Sequence, residues 1–294
     1  MIGIDWGTTS FRAFRVARDG TIRDRRAGPR GILNVPNNRF ADTLREEIGP
    51  WLAAGDDHVL LSGMIGSRQG WREAPYLPGP AGAAEIAAAL TDVPFDWGQV
   101  KLVPGLAAED SAGVPEVMRG EETQIIGCLD TIGGAGLACL PGSHSKWARI
   151  DAGKISGFTT HLTGEAFAAL RGHTILARMM RDGATDPAAF DQGVTRAGDA
   201  DGLLHHVFGA RSLALTGRMA ESATASYLSG ILIGHEVRAA FGAQRGVVVQ
   251  LIGTPELTAL YARAITACGC YAERHDGDAA ARGLAAIGAH TAWT

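Results

Sequence analysis

Two stretches of this chain carry the residue types needed to grip a polyphosphate: Asp5-Trp6-Gly7-Thr8-Thr9-Ser10 and Pro141-Gly142-Ser143-His144-Ser145-Lys146. In each, a short apolar run leads into a glycine, then hydroxyl residues, then an alternating segment. Glycine lets backbone N–H groups approach an anion closely, and neighbouring hydroxyls add donors. The first stretch runs on to a turn at Asp19-Gly20 and the second to one at Asp151-Ala152-Gly153, so both read as β-hairpins. Two such turns facing each other would hold a triphosphate between two lobes, a geometry that suits ATP. An isolated histidine is more often structural, but the place of His144 in the duplicated turn favours a phosphate or substrate contact. Lys146 either assists it or faces solvent, because alternation sends adjacent strand residues to opposite faces.

The elements that must position these turns also repeat. Ile2 to Asp5, Phe11 to Ala17 and Thr21 to Ala27 read as strands, followed by a helix from Asn38 to Ala53 and a buried strand from Val59 to Ser62. A helix over Ala81 to Leu90, a strand over Val100 to Pro104 and a helix over Glu121 to Asp130 complete the first half. Three strands then return at Leu137 to Leu140, Lys146 to Ile150 and Lys154 to Thr159. A helical region from about Gly164 to Phe241 follows, with breaks near Asp182 to Pro187 and Asp199 to Gly202. Val247 to Gly253, a helix from Pro255 to Ala267, Tyr271 to Arg274 and a helix from Asp278 to His290 close the chain. Three strands and then alternating helices and strands, twice over, predict paired α/β lobes, with domains at 1–132 and 133–294.

Composition narrows the function classes. The formal net charge is −4, and no Lys/Arg block interleaved with aromatics appears, which argues against nucleic-acid binding. No apolar run approaches a membrane span, and the strand-like start lacks a charged leader, so the expected location is cytoplasmic. The four cysteines, including Cys268-Gly269-Cys270, have no neighbouring ligand partners and read as reduced structural thiols.

With these motifs the chain resembles the 2-keto-3-deoxygalactonate kinase family, within the superfamily of sugar kinases, heat-shock ATPases and actin. Asp5 to Ser10 and Pro141 to Trp147 look like its two phosphate motifs. Gly63-Met64-Ile65-Gly66-Ser67, Gly70-Trp71, Ala74-Pro75-Tyr76-Leu77, Pro104-Gly105-Leu106 and Met118-Arg119-Gly120-Glu121-Glu122-Thr123-Gln124 follow in the family's order between them. Thr163-Gly164-Glu165, Leu228 to Gly234 and Gly253-Thr254-Pro255-Glu256-Leu257 come later, so the likeness spans nearly the whole chain. Ser143 stands where the family more often has Thr, which preserves the hydroxyl.

The resemblance implies an α/β fold of two actin-like (ribonuclease H-like) lobes with a nucleotide cleft between them. It also implies transfer of the ATP γ-phosphoryl group to 2-dehydro-3-deoxy-D-galactonate, forming the 6-phosphate. Asp5, a carboxylate at a strand end, is suited to orient Mg2+ through water. Gly7, Thr8 and Thr9 would surround phosphates from one side; Gly142, Ser143 and His144 would do so from the other. In related kinases a catalytic carboxylate stands at a helix start shortly before the second hairpin, which makes Glu121 the leading general base, with Asp110 and Glu122 as alternatives. Arg119 is the leading partner for the acceptor's carboxylate, with Arg68 as the alternative. Ser67 would donate to the acceptor, Trp71 would cover its carbon chain and Tyr76 would close the pocket edge. Gly253 and Thr254 lie where relatives pass backbone against adenosine. Thr163 and Glu165 either act in the site or cap the following helix, and Ser229-Gly230 with Gly234 read as close packing or a hinge. A homodimer stays open, as do a kinase for another sugar acid or amino sugar and a nonenzymatic nucleotide-dependent binding protein.

Overall fold

The first strand of the chain, Ile2–Trp6, is mostly buried on both faces, and it lies inside a sheet. In the computed structural model, which describes residues 1–17 and 20–293, β1 (Ile2–Trp6) pairs antiparallel with β2 (Phe11–Val16) and parallel with β4 (His58–Ser62). β2 continues antiparallel to β3 (Ile22–Gly28), an edge strand rich in charge at Arg23, Asp24, Arg25 and Arg26, a composition that discourages pairing with another chain. α1 (Phe40–Ala53) sets Phe40, Leu44, Ile48 and Trp51 on one buried stripe against Ile2, Ile4, Trp6 and Phe11.

Three strands outside the expected set, β5 (Tyr76–Pro78), β8 (Gly105–Glu109) and β9 (Pro115–Met118), make a separate small sheet in the order β5-β8-β9. Each has three to five residues and two of them contain proline, so none shows a readable alternation. Between them come α2 (Ala83–Ala88), β6 (Thr91–Val93) and β7 (Gln99–Leu102), and the larger sheet runs β3-β2-β1-β4-β7-β6. The helix expected over Glu121 to Asp130 is two short ones, α3 (Glu121–Ile126) and α4 (Leu129–Ile132), interrupted at Gly127 and Cys128.

A second sheet has the order β12-β11-β10-β13-β14, from β10 (Gly136–Leu140), β11 (Ser145–Asp151), β12 (Lys154–His161), β13 (Val248–Leu251) and β14 (Tyr271–Arg274). Ala152 and Gly153, both with positive φ, join β11 to β12 in a two-residue loop that suits the strand twist. The corresponding turn at Asp19-Gly20 falls partly outside the described residues. The helices are α5 (Thr163–His173), α6 (Pro187–Arg196), α7 (Leu203–Leu215), α8 (Thr224–Phe241) and α9 (Pro255–Ala267). A further break at 216–223 separates α7 from α8. Gly193 and Gly230 seat α6 on α8: a Cβ at Gly193 would stand 2.1 Å from the Tyr227 carbonyl, and one at Gly230 would stand 2.0 Å from that of Phe190.

The chain divides into two compact units, Met1–Gly136 with Ala148–Thr159 and Asp276–Thr294, and Leu137–Trp147 with Thr160–His275. This grouping differs from one cut at 132/133. The C-terminal α10 (Ala279–Ala289) belongs to the first unit because its Leu284 fills the space beside Gly3 of β1, where a Cβ would meet it at 2.9 Å. Its Gly283 lies against the Thr123 carbonyl of α3, with a Cβ distance of 1.8 Å.

Candidate active site

In the first unit the β1–β2 turn is braced from behind. The Gly7 N–H donates to the Ser10 carbonyl at 2.9 Å, and the Gly7 and Thr8 carbonyls accept from Ile32 and Leu33. A Cβ at Gly31 would stand 2.3 Å from Thr9 backbone, so only glycine fits under the turn. Thr8, Thr9 and Ser10 are left exposed. The Gly7 N–H is therefore spent inside the turn, and the groups presented outward belong to Thr8, Thr9 and Ser10. Asp5, at the end of β1, is largely buried and paired with Arg12.

Two glycines with positive φ bring the acidic helix start close to Asp5. A Cβ at Gly63 would lie 3.2 Å from the Asp5 carboxylate and 2.9 Å from the Trp6 carbonyl; one at Gly120 would lie 3.2 Å from the Cα of Gly63. Neither has a site role in the motifs described above, although a glycine ending a strand and another opening a helix are signals of close approach. Glu121 and Glu122 begin α3 just beyond. Glu121 is partly exposed, and its carboxylate accepts from the Arg119 N–H at 3.0 Å. Glu122 is wholly buried and accepts from the Gly120 N–H at 2.7 Å and from the Thr123 hydroxyl at 3.0 Å. Burial and the neighbouring Glu121 charge push its carboxyl up to about 7. Asp110 accepts from the N–H groups of Ala112 and Val114 and so fastens the β8–β9 turn.

Arg119 is buried under the small sheet. Its Nη2 donates to the Ala74 carbonyl at 2.7 Å and its guanidinium lies 4.5 Å from the centre of the Tyr76 ring. Its Nε and Nη1, together with the Ser67 Oγ, are buried polar atoms without a hydrogen-bond partner among the described residues. Nη1 faces Gly66, where a Cβ would approach it to 3.0 Å. Unpaired buried donors are costly, so a cluster of them is a fit for an anionic or hydroxylated ligand. Arg68 instead points outward into an ion pair with Glu73. Trp71 packs edge-on against Phe95 at the margin of the core, while Tyr76 remains substantially exposed.

In the second unit the β10–β11 turn rests on the start of α5. A Cβ at Gly164 would stand 2.4 Å from the Gly142 carbonyl, and the Glu165 N–H donates to the Ser143 carbonyl at 3.1 Å. The positive end of an eleven-residue helix is thus brought to the glycine turn, an arrangement favourable to phosphate. The exposed His144 pairs with Glu165, which binds the two segments further. Lys146 is buried and donates to Thr160, which corrects the solvent-facing alternative.

A cavity of about 450 Å3 opens beside this turn, bordered by Gly142, Ser143, Phe167, Leu232, Leu260 and Tyr261. Gly253 and Thr254 do not line it. Thr254 caps α9, and that helix supplies Leu257, Leu260 and Tyr261 to the wall. All four cysteines are buried and free. Among the described residues no helix is long and apolar enough to cross a membrane.

These α/β units define a protein of the actin-like (ribonuclease H-like) α/β fold class. The family model of 2-keto-3-deoxy-galactonokinase matches residues 5–287, and the chain belongs to that family. It is 35% identical to the probable 2-dehydro-3-deoxygalactonokinase of Rhizobium meliloti (strain 1021), covering 99% of this chain and 96% of that one. It is 32% identical to the 2-dehydro-3-deoxygalactonokinase of Escherichia coli (strain K12), covering 95% and 94%. A crystal structure from Sinorhizobium meliloti, provisionally named a 2-dehydro-3-deoxygalactonokinase, superimposes with a TM-score of 0.89 at 34% identity over 97% of each chain. The Acidaminococcus fermentans (R)-2-hydroxyglutaryl-CoA dehydratase component A shares the fold, with a TM-score of 0.55 at 10% identity, 99% of this chain and 96% of that one being covered.

Proposed function

We propose that this kinase transfers the γ-phosphoryl group of ATP to the 6-hydroxyl of 2-dehydro-3-deoxy-D-galactonate. Membership of the family gives the reaction class. The observation that carries the acceptor's chemistry is the set of unpaired buried atoms, Nε and Nη1 of Arg119 and Oγ of Ser67, donors suited to a carboxylate and a hydroxyl. Tyr76, stacked on the same guanidinium, and Trp71 border the acceptor's carbon chain.

Glu121 takes the proton of the attacking hydroxyl as that oxygen bonds to phosphorus and ADP leaves. Glu122, sealed in the core, shapes the segment and does not touch the acceptor. Thr8 and Thr9 of the first glycine turn, and Gly142, Ser143 and His144 of the second, are the residues with donors for phosphate. The cavity beside the second turn takes the nucleoside, with Gly253-Thr254 shaping the strand-to-helix corner before α9.

The donors suit a weakly held magnesium ion. Asp5 is one carboxylate at a strand end, and among the described residues no group of three or more His, Cys, Asp or Glu gathers as a metal cage. That set fits Mg2+ bound mainly by nucleotide oxygens and water, with Asp5 ordering a water, and the ion would supply charge neutralisation.

Coupled detection of ADP across a panel of sugar acids and amino sugars tests the reading. Turnover is expected to be greatest with 2-dehydro-3-deoxy-D-galactonate and to yield its 6-phosphate. A panel with no acceptor-stimulated ADP release would refute it.

A further inference from the structure

Beneath the second glycine turn lies a buried chain of polar side chains that the phosphoryl-transfer chemistry above does not use. Ser145, the first residue of β11, is fully buried, and its hydroxyl lies 2.8 Å from the Tyr261 hydroxyl of α9. Tyr261 in turn donates to the Glu236 carboxylate of α8 at 2.7 Å, and the Trp147 indole N–H donates to the other oxygen of that carboxylate, also at 2.7 Å. The ring of Tyr261 borders the 450 Å3 cavity together with Gly142 and Ser143, so one residue touches both the cavity and the support of the turn.

The donor and acceptor inventory orients this chain. An indole N–H can only donate, so the oxygen of Glu236 facing Trp147 accepts. Tyr261 has one proton and gives it to the other oxygen. Burial and the nearby Glu236 charge raise the Tyr261 hydroxyl far above its ordinary value, which keeps that proton in place. The proton between Ser145 and Tyr261 must then come from Ser145. Its oxygen is left as an acceptor towards the Gly142 N–H, 3.5 Å away at the start of the turn.

We infer that Glu236 and Tyr261 are positioning residues for the nucleotide's phosphates: acting through Ser145, they fix the Gly142 peptide and thereby the conformation of the turn. The inference rests on the reading of this turn as a phosphate site. Two helices distant in sequence, α9 through Tyr261 and α8 through Glu236, are committed in series to one serine hydroxyl, and hydrophobic residues would fill the same space without a buried carboxylate.

Tyr261→Phe removes only the hydroxyl and Ser145→Ala only its partner. Each is expected to raise both the KM for ATP and the Kd of a nonhydrolysable ATP analogue about tenfold, the size of one net hydrogen bond. The KM for the sugar acid should stay within about twofold, and the double variant should be no weaker than the worse single one, since the two act as a unit. Melting temperature is followed alongside. Variants that melt lower but bind nucleotide normally would overturn the inference. Gly164→Ala, which must disturb the turn itself, separates the two levels. If it weakens ATP binding while Tyr261→Phe and Ser145→Ala do not, the inference fails and the phosphate site stands. If none of the three alters ATP binding, the turn is not the phosphate site.

Discussion

Glu121 and Glu122 are neighbours with opposite surroundings, and that contrast divides their roles. Glu121→Ala is expected to lower kcat by about two to four orders of magnitude while ATP binding persists; steady-state rates and nucleotide titration check it, and near-normal turnover would remove Glu121 from the reaction. Arg119→Lys loses the planar fork and should raise the sugar-acid KM about tenfold with the KM for ATP unchanged. Glu122 makes a prediction about stability. Its carboxyl stands raised at about 7 against an ordinary 4.5, so it keeps its proton in the folded protein where the unfolded chain has lost it. Its contribution to stability is complete below the unfolded value and is lost as pH rises through the folded one. Relative to Glu122→Gln, the wild-type protein should lose up to ~3 kcal/mol between pH 4.5 and pH 7 in urea unfolding. A pH-independent difference would contradict the burial argument.

Helix crossings in this fold are set by glycines that let backbone meet backbone. Gly283 of α10 lies against the Thr123 carbonyl, and Gly127, between α3 and α4, lies against that of Ala279, where a Cβ would stand 1.9 Å away. Gly283→Ala must push α10 off α3 and is expected to destabilise the protein by at least about 1–3 kcal/mol. Because α3 begins with Glu121, turnover should fall further than the stability loss alone explains; chemical denaturation and kcat on the same preparation test both. The glycines of α8 fit the same logic. Gly230 and Gly234 sit against α6, where Phe190 and Val194 crowd them, which favours the packing interpretation over a hinge.

Across the chain, the first unit closes only when its last residues return to its first strand. Leu284 seals Gly3, and Arg25 pairs with Asp278 at 2.7 Å. A chain ending at His275 is therefore expected to lose the fold of the first unit and its sugar-acid binding, while the second unit, with its own core around Phe190, Val237, Val249 and Tyr261, stays protected from proteolysis. Limited proteolysis with mass spectrometry distinguishes that outcome from uniform stability, which would show α10 to be dispensable.

The local rules acted strongly at the turns and in the long periodic segments. The glycine-hydroxyl stretches, the β1 to β3 strands, α1 and α9 follow from apolar periodicity, β-hairpin chemistry and proline at a helix start, all of which act within a few residues. The small β5-β8-β9 sheet was not legible, because strands of three to five residues with proline carry no period and are stabilised by partners far along the chain. The same holds for α10 joining the first unit, and for Ser145, Tyr261 and Glu236 meeting beneath a turn. Sequence order alone placed the two glycine-hydroxyl turns, since each is a local structure. Which carboxylate is sealed and which is partly exposed, which arginine is left with unpaired donors and which glycine must yield to a backbone were decided by packing, because burial is a property of neighbours that only folding brings together.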